Sequence, residues 1–281
     1  MLTGTALVGG VLGMPMSAAA EPVPRADVGY DVSHPQCDVT LPADAAFAIV
    51  GVNGGVATTP NPCLAEQWQW AAGSWGAVPA QLYVNTANPG EVRDEVTTWP
   101  RSGSNRYGLC DGDNSAACSY EYGVARAEDD VQLVLDTLGD LPPGTAGAGI
   151  EGPADLAGLS WWLDVETMNT WQTDGAQARR NNRATLEGMA EHLLSVGGRV
   201  GLYSTGYQWS RIVGTVPSSS SLYDLDSWLA GARSAREAAA NCGDDPLVDG
   251  GRVVLAQYVD DDLDHNWSCD RNDERTPGAT G

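Results

Sequence analysis

The feature that most constrains the fold is a repeated alternation of short apolar strands with longer helical segments. Alternation of this kind builds βαβ units, whose strands pair in parallel. Apolar residues recur at helical spacing in 121–139, and the other predicted helices span 64–74, 175–196 and 208–213. The predicted strands are 28–33, 47–53, 80–85, 160–166, 199–205, 227–230 and 252–259.

The length and the hydrophobic content favour closure of these units into one barrel. A TIM-type (β/α) barrel takes about 250 residues, and this chain has 281 residues, of which 42% are hydrophobic. Seven strands can be placed and an eighth cannot. Asp249-Gly250 is typical of a hairpin turn, and the acidic run 260–264 is expected to be a solvated loop. The fold class is therefore predicted as an α/β barrel that is irregular in its C-terminal third.

The two ends of the chain are expected to lie outside this barrel. Residues 1–20 are apolar and uncharged and end in three alanines, a pattern typical of a signal peptide with its cleavage site. A single barrel domain is expected over 26–270, followed by a polar, disordered tail at 271–281. The protein is accordingly predicted to be secreted, and to be a monomer.

Six cysteines in an exported chain predict three disulfides, which would staple the barrel. Six cysteines allow fifteen pairings. Closure between cysteines near in sequence favours Cys37–Cys63, Cys110–Cys118 and Cys242–Cys269. No CxxC spacing or histidine cluster accompanies them, so neither a zinc site nor another metal or cofactor is expected.

The net charge limits the partners. The formal charge is −22, and all 15 basic residues are arginine. Such a chain has no basic stripe to neutralise phosphates, which argues against binding to nucleic acid. Repulsion also argues against an anionic membrane surface.

Polar side chains recur near the carboxyl end of the predicted strands. Side chains two apart on a strand share a face, and the carboxyl ends of barrel strands carry the active site. The alternative is that the strands simply end in polar residues at the surface. The residues placed at one mouth are Asp31, Asn53, Tyr83, Asn85, Trp162, Asp164, Glu166, Tyr203 and Gln257.

The stretch SWWLDVE (160–166) carries the chemistry of this predicted mouth. Alternation places Trp162, Asp164 and Glu166 on one face, with the Cα atoms of the two acids roughly 6.5–7 Å apart. Two carboxyl groups at such a distance suit glycoside hydrolysis, in which one protonates the leaving oxygen and the other stabilises the oxocarbenium-like centre. A solvated strand end, or an acid paired with arginine, remains the alternative. A metal-assisted hydrolase also stays open as a minor one.

Several short motifs resemble the barrel lysozymes of glycoside hydrolase family 25. Together they run in order from about residue 28 to 267. The motifs are Gly29–Ser33, Leu163–Glu166, Gly201–Thr205, Trp228–Ala230 and Gln257–Tyr258 with Leu263–Asn266.

The resemblance implies a secreted muramidase that acts on peptidoglycan or a related polysaccharide. By position, it implies that Glu166 is the general acid and that Asp164 stabilises the charge that develops on the substrate. Asp31 and Asp264 would be supporting acids, and Tyr203 a substrate contact.

The second strand departs from the family pattern. The family carries Lys and a Thr-Glu-Gly turn there, whereas this chain has Val52-Asn53-Gly54-Gly55. The stapled loop at 100–120 and the Trp-rich first helix also differ from the usual lysozyme. The alternative function is therefore a non-catalytic carbohydrate-binding protein on the same barrel.

Overall fold

The structure is a computed structural model that describes residues 28–74, 79–173, 175–260 and 263–269. The predicted signal peptide and tail lie outside the described residues. The strands are β1 Val28–Val32, β2 Ala48–Gly51, β3 Gln81–Asn85, β4 Gly103–Asn105, β5 Gly108–Cys110, β6 Ser160–Asp164, β7 Arg199–Ser204, β8 Asp226–Ala232, β9 Val253–Asp260 and β10 Leu263–Ser268.

Eight of the strands close into a barrel in the order β1-β10-β9-β8-β7-β6-β3-β2, which confirms the predicted barrel. Neighbours pair in parallel except at β10, which runs antiparallel to both β9 and β1. This reversal is the irregularity expected in the C-terminal third. A small antiparallel hairpin, β4–β5, lies apart from the barrel.

Two sequence predictions in that third are wrong. Asp249-Gly250 is not a hairpin turn, because it lies in the connection between β8 and β9, which pair in parallel. The acidic run is not simply a loop, since Asp260 ends β9 and Asp264 belongs to β10, the strand that could not be placed. The sequence of β10 is polar and therefore did not indicate a strand. In the structure β10 pairs Asp264 and Asn266 with residues of β1.

Five α-helices accompany the barrel among the described residues: α1 Leu64–Ala72, α2 Ala116–Gly139, α3 Gly175–Ser195, α4 Gly206–Ile212 and α5 Ala235–Asn241. Helix α2 begins five residues before its predicted start, because the Ser115 hydroxyl accepts a hydrogen bond from the Cys118 amide and caps it. No helix in the described part of the chain is long and apolar enough to cross a membrane.

The hydrophobic core has two layers, as strand alternation requires. Leu163 and Val165 pack outward among residues of the helices. The interior layer fills the barrel with large side chains, among them Phe47, Trp162 and Trp228.

All three predicted disulfides are present: Cys37–Cys63, Cys110–Cys118 and Cys242–Cys269. The second closes the loop that carries β4 and β5, and it joins that loop to the first turn of α2. The third ties α5 to the end of β10. The disulfides therefore connect segments that the parallel strand pairing of the barrel does not fix.

Candidate active site

Four carboxylates gather at the carboxyl end of the barrel. Asp31 near the end of β1 and Asp264 near the start of β10 are directly opposite each other in the ladder. Asp164 ends β6, and Glu166 follows it by two residues. Asp31 and Glu166 each raise the pKa of Asp164, and Glu166 raises that of Asp264. The structure thus brings the four predicted acids within electrostatic reach of one another.

Asp31 is a buried carboxyl with several hydrogen-bond donors. The Gln257 Nε2 atom lies 3.1 Å from both of its carboxylate oxygens, and Asn266 Nδ2 lies 2.6 Å from Oδ1. Burial, and next the negative charge of Asp264, raise the pKa of Asp31 to about 7 although these bonds oppose the shift. Asp31 is consequently neutral over much of the weakly acidic range.

The amides that hold Asp31 are themselves fixed by aromatic side chains. Tyr203 donates its hydroxyl to Gln257 Oε1 at 2.7 Å. Trp228 donates its indole N–H to Asn266 Oδ1 at 2.8 Å. Tyr203 and Gln257, both predicted for the mouth, therefore belong to the environment of Asp31.

Asp164 is a buried carboxyl with one oxygen left over. Asn85 Nδ2 donates to Asp164 Oδ2, which brings together two of the predicted residues. The other oxygen, Oδ1, is buried and has no partner among the described residues. Burial, and next the charge of Glu166, raise the pKa of Asp164 well above its usual value. An N–H donor from a bound molecule would satisfy this oxygen and stabilise the ionised form.

Glu166 is only partly buried, and it forms no ion pair with any residue in the described ranges. Its carboxylate accepts one long hydrogen bond, 3.3 Å, from Gln208 Nε2 on α4. Its main-chain carbonyl is fixed by the indole N–H of Trp171 at 3.0 Å. The backbone of Glu166 is thus held in place while its carboxyl group remains accessible. No arginine in the described ranges forms an ion pair with that carboxyl group.

Asn53 lies beneath the site and not on its surface. It is 2% exposed. Its Nδ2 donates to Asp130 Oδ1 on α2 at 2.8 Å, and its Oδ1 accepts from the backbone N–H of Asn85, also at 2.8 Å. The altered second strand therefore links helix α2 to the residue that holds Asp164.

Aromatic side chains separate this mouth from the rest of the barrel interior. The Trp228 ring centroid lies 4.4 Å from Tyr203, 5.7 Å from Trp162 and 6.4 Å from Tyr83. Trp162 points away from the acids, because its indole N–H donates to Gln81 Oε1 at the first residue of β3. The structure does not bring Trp162 to the mouth.

Sequence reasoning missed Asp130, Gln208, Trp228 and Asn266 as parts of this arrangement. Trp228 and Asn266 stand in the motifs that carry the family resemblance, so those motifs held a usable signal. Asp130 lies in a helix 77 positions from Asn53, and Gln208 lies 42 positions from Glu166. No local pattern joins residues so far apart.

Among the residues that the structure describes, no group of three or more His, Cys, Asp or Glu side chains is arranged to hold a metal ion. The four carboxylates are distributed around the mouth, with amides between them. Amide donors such as Asn85 and Gln257 hydrogen-bond to the carboxylates. This arrangement favours carboxylates that act directly on a substrate over a compact set of metal ligands.

Comparison with known proteins points to lysozyme-like proteins. Residues 156–244, under half of the chain, match the family model for "Lysozyme-like protein 1". Over 53 residues the chain is 43% identical to Lysozyme-like protein 5 of Caenorhabditis elegans. The matched segment is 19% of this chain and 22% of that protein. The match thus spans about a fifth of the length of that relative. The predicted resemblance is confirmed over the segment that contains Asp164, Glu166 and β7.

Two solved structures are similar at low identity. A muramidase from Trichobolus zukalii is 17% identical, with a TM-score of 0.47, over 86% of this chain and 93% of that one. The modular autolysin LytC from Streptococcus pneumoniae, solved with a synthetic peptidoglycan ligand, is 10% identical, with a TM-score of 0.43, over 85% of this chain and 46% of that one.

Proposed function

We propose that this protein is a glycoside hydrolase that cleaves cell-wall glycan of the muramidase type at the carboxyl end of its barrel. The observation that carries the proposal is the pairing of Asp164 with Glu166. Among the described residues, Asp164 is buried with one oxygen that has no partner, and Glu166 is accessible and forms no ion pair with an arginine. The match to lysozyme-like proteins covers this segment.

The different environments of Asp164 and Glu166 suit the two acids to different roles in the reaction. The pKa of Asp164 is raised by burial and next by the charge of Glu166. A substrate N-acetyl N–H that donates to Asp164 Oδ1 stabilises its ionised form. Glu166 then protonates the glycosidic oxygen, while Asp164 stabilises the developing positive centre, directly or through the N-acetyl group.

The other carboxyls support this pair. Asp31, neutral below about pH 7, limits the negative charge around Asp164 and keeps Gln257 and Asn266 in place. Asp264 adds negative charge at the mouth, where a cationic transition state benefits from it. Tyr203, Tyr83 and Asn85 are the side chains proposed to border the bound sugar, whereas Asn53 acts through Asn85.

The substitution Glu166→Gln tests the proposal, because it removes the proton donor with almost no change in shape. Loss of a general acid costs about 10²–10⁴-fold in rate, so release of reducing ends from purified peptidoglycan should fall by at least about a hundredfold. Glu66→Gln, an exposed change on α1, should leave the rate unchanged. Near-ultraviolet circular dichroism should show both variants folded.

The same experiment separates the enzyme from a carbohydrate-binding protein without activity. Sedimentation with insoluble wall material measures binding independently of turnover. Wild-type protein that binds the wall and releases no reducing ends would establish the binding protein. Glu166→Gln that retains wild-type turnover would remove Glu166 as the acid.

We also propose that the protein acts outside the cell as a monomer. Its three disulfides are stable in oxidising compartments, and a wall polysaccharide is an extracellular partner. The net charge of −22 disfavours nucleic acid and anionic lipid as competing partners.

A further inference from the structure

A cavity of about 400 Å³ lies at the amino end of the barrel. Its lining includes the first residues of four strands: Gln81 of β3, Ser160 of β6, Arg199 of β7 and Asp226 of β8. The four acids lie at the other end of the barrel, beyond the layer formed by Trp228, Tyr203 and Tyr83. The amino end of such a barrel ordinarily serves stability, and a cavity of this size is within the range of small-molecule sites.

The floor of the cavity is flat and apolar. The side chains of Phe47, Trp162 and Leu255 are at most 5% exposed, and they line it from the barrel interior. Gly201 faces Trp162 across the β6–β7 ladder. A Cβ atom at Gly201 would lie 2.2 Å from the Trp162 ring. The glycine therefore lets the indole lie flat against the barrel wall.

The carboxamide of Gln81 borders the cavity. Gln81 is 7% exposed, and its Oε1 accepts from the Trp162 indole N–H at 2.7 Å. That bond fixes the orientation of the carboxamide, and Gln81 Nε2 has no partner among the described residues. A donor that borders a cavity without a protein partner is available to an acceptor on a ligand.

Two arginines border the cavity of this strongly acidic protein. Arg199 is exposed, and its guanidinium forms no ion pair with any residue in the described ranges. Arg252 also borders the cavity and lies 3.2 Å from Asp226 Oδ1. A guanidinium such as that of Arg199 can bind a planar anion through two parallel N–H groups.

From these features together we infer that the amino end of the barrel is a binding site for a small aromatic carboxylate. The ring lies on Phe47, Trp162 and Leu255, and the carboxylate meets Arg199 and Gln81 Nε2. This site shares no residue with the four acids at the opposite mouth. Its occupancy is therefore independent of whether the protein cleaves glycan.

Calorimetric titration of the full chain with 1-naphthoate tests the inference, with 1-naphthamide as an uncharged ligand of the same shape. A charge-assisted hydrogen bond adds about 1.5–3 kcal/mol, and about 1.4 kcal/mol is a factor of ten. Naphthoate should therefore bind at least about tenfold more tightly than naphthamide. Equal affinities, or no saturable binding of naphthoate, would overturn the inference.

Two variants locate the binding. Arg199→Ala should weaken naphthoate by about tenfold, while Arg233→Ala, whose side chain is 88% exposed in the β8–α5 connection, should have no effect. Gln81→Glu keeps the acceptor for Trp162 but replaces the donor with a negative oxygen, and it should abolish binding. Circular dichroism checks that each variant is folded. Equal effects of the two arginine changes, or undiminished binding to folded Gln81→Glu, would refute the site.

Discussion

At the scale of single residues, three side chains connect helix α2 to the buried acid of the site. Asp130 accepts from Asn53, Asn53 accepts from the Asn85 backbone, and Asn85 donates to Asp164. Burial raises the pKa of Asp130 to about 7, and its Oδ2 has no partner among the described residues. This acid therefore weakens the fold once it ionises, which links stability to pH.

The first prediction concerns that pH dependence. The native state holds protons on Asp31 and Asp130 up to about pH 7, whereas the unfolded chain loses them near pH 4. Their stabilising contribution is fully present below about pH 4 and is lost as the pH rises to about 7. Each group contributes at most ~4 kcal/mol to this loss, from ~1.4 kcal/mol for each pKa unit.

Urea unfolding at pH 5 and pH 8 measures the effect. Asp130→Asn should reduce the difference between the two free energies of unfolding by a few kcal/mol, because the variant has no proton to lose. Asp136→Asn, an exposed change on the same helix, should leave the difference as in wild type. A wild-type protein that is more stable at pH 8 would contradict the assignment.

At the scale of elements, α2 and α3 approach each other unusually closely. A Cβ atom at Gly123 would lie 1.9 Å from the Thr185 carbonyl oxygen, and one at Gly188 would lie 2.3 Å from the Tyr120 carbonyl oxygen. The obstacles are backbone atoms, which cannot move aside as a flexible side chain can. The two glycines thus set the distance between the two long helices.

Gly123→Ala should therefore destabilise the protein, although alanine in a helix ordinarily gains about 1 kcal/mol over glycine. We expect a loss of about 2–3 kcal/mol, the upper part of the usual range of overpacking, in chemical unfolding. Gly139→Ala at the end of α2, where the added Cβ meets only one atom at 3.4 Å, is the control and should be near neutral. A stabilised Gly123→Ala variant would show that the helices are not in close contact.

The disulfides differ in how much chain each one closes. Cys242–Cys269 spans 27 positions and Cys110–Cys118 spans 8. Loop-closure entropy predicts a loss of about 3.5 kcal/mol for the first and about 2.5 kcal/mol for the second. Paired serine substitutions at each bridge, compared by thermal unfolding, should follow this order. The reverse order would mean that β10 is held by its ladder without the covalent tie.

At the scale of the whole molecule, the barrel was predictable because its strands and helices alternate with clear periodicity. Asp31, Asp164 and Glu166 were predictable by strand alternation, since each lies at or near the end of a strand. β10 was not predictable, because its residues are polar and it runs antiparallel to its neighbours. The roles of Asp130 and Gln208 were not predictable either, since they depend on packing between distant elements. Trp162 faces the other end of the barrel because Gln81 binds its indole N–H.

The central claim is that the carboxylate pair at the carboxyl end hydrolyses a wall glycan. Digestion of purified peptidoglycan in ¹⁸O-labelled water, with mass spectrometry of the fragments, tests it most directly. We predict new reducing ends on N-acetylmuramic acid, each with one ¹⁸O atom, in wild type and none with Glu166→Gln. New ends on N-acetylglucosamine, unlabelled anhydro products, or intact glycan after treatment with folded wild-type protein would contradict it.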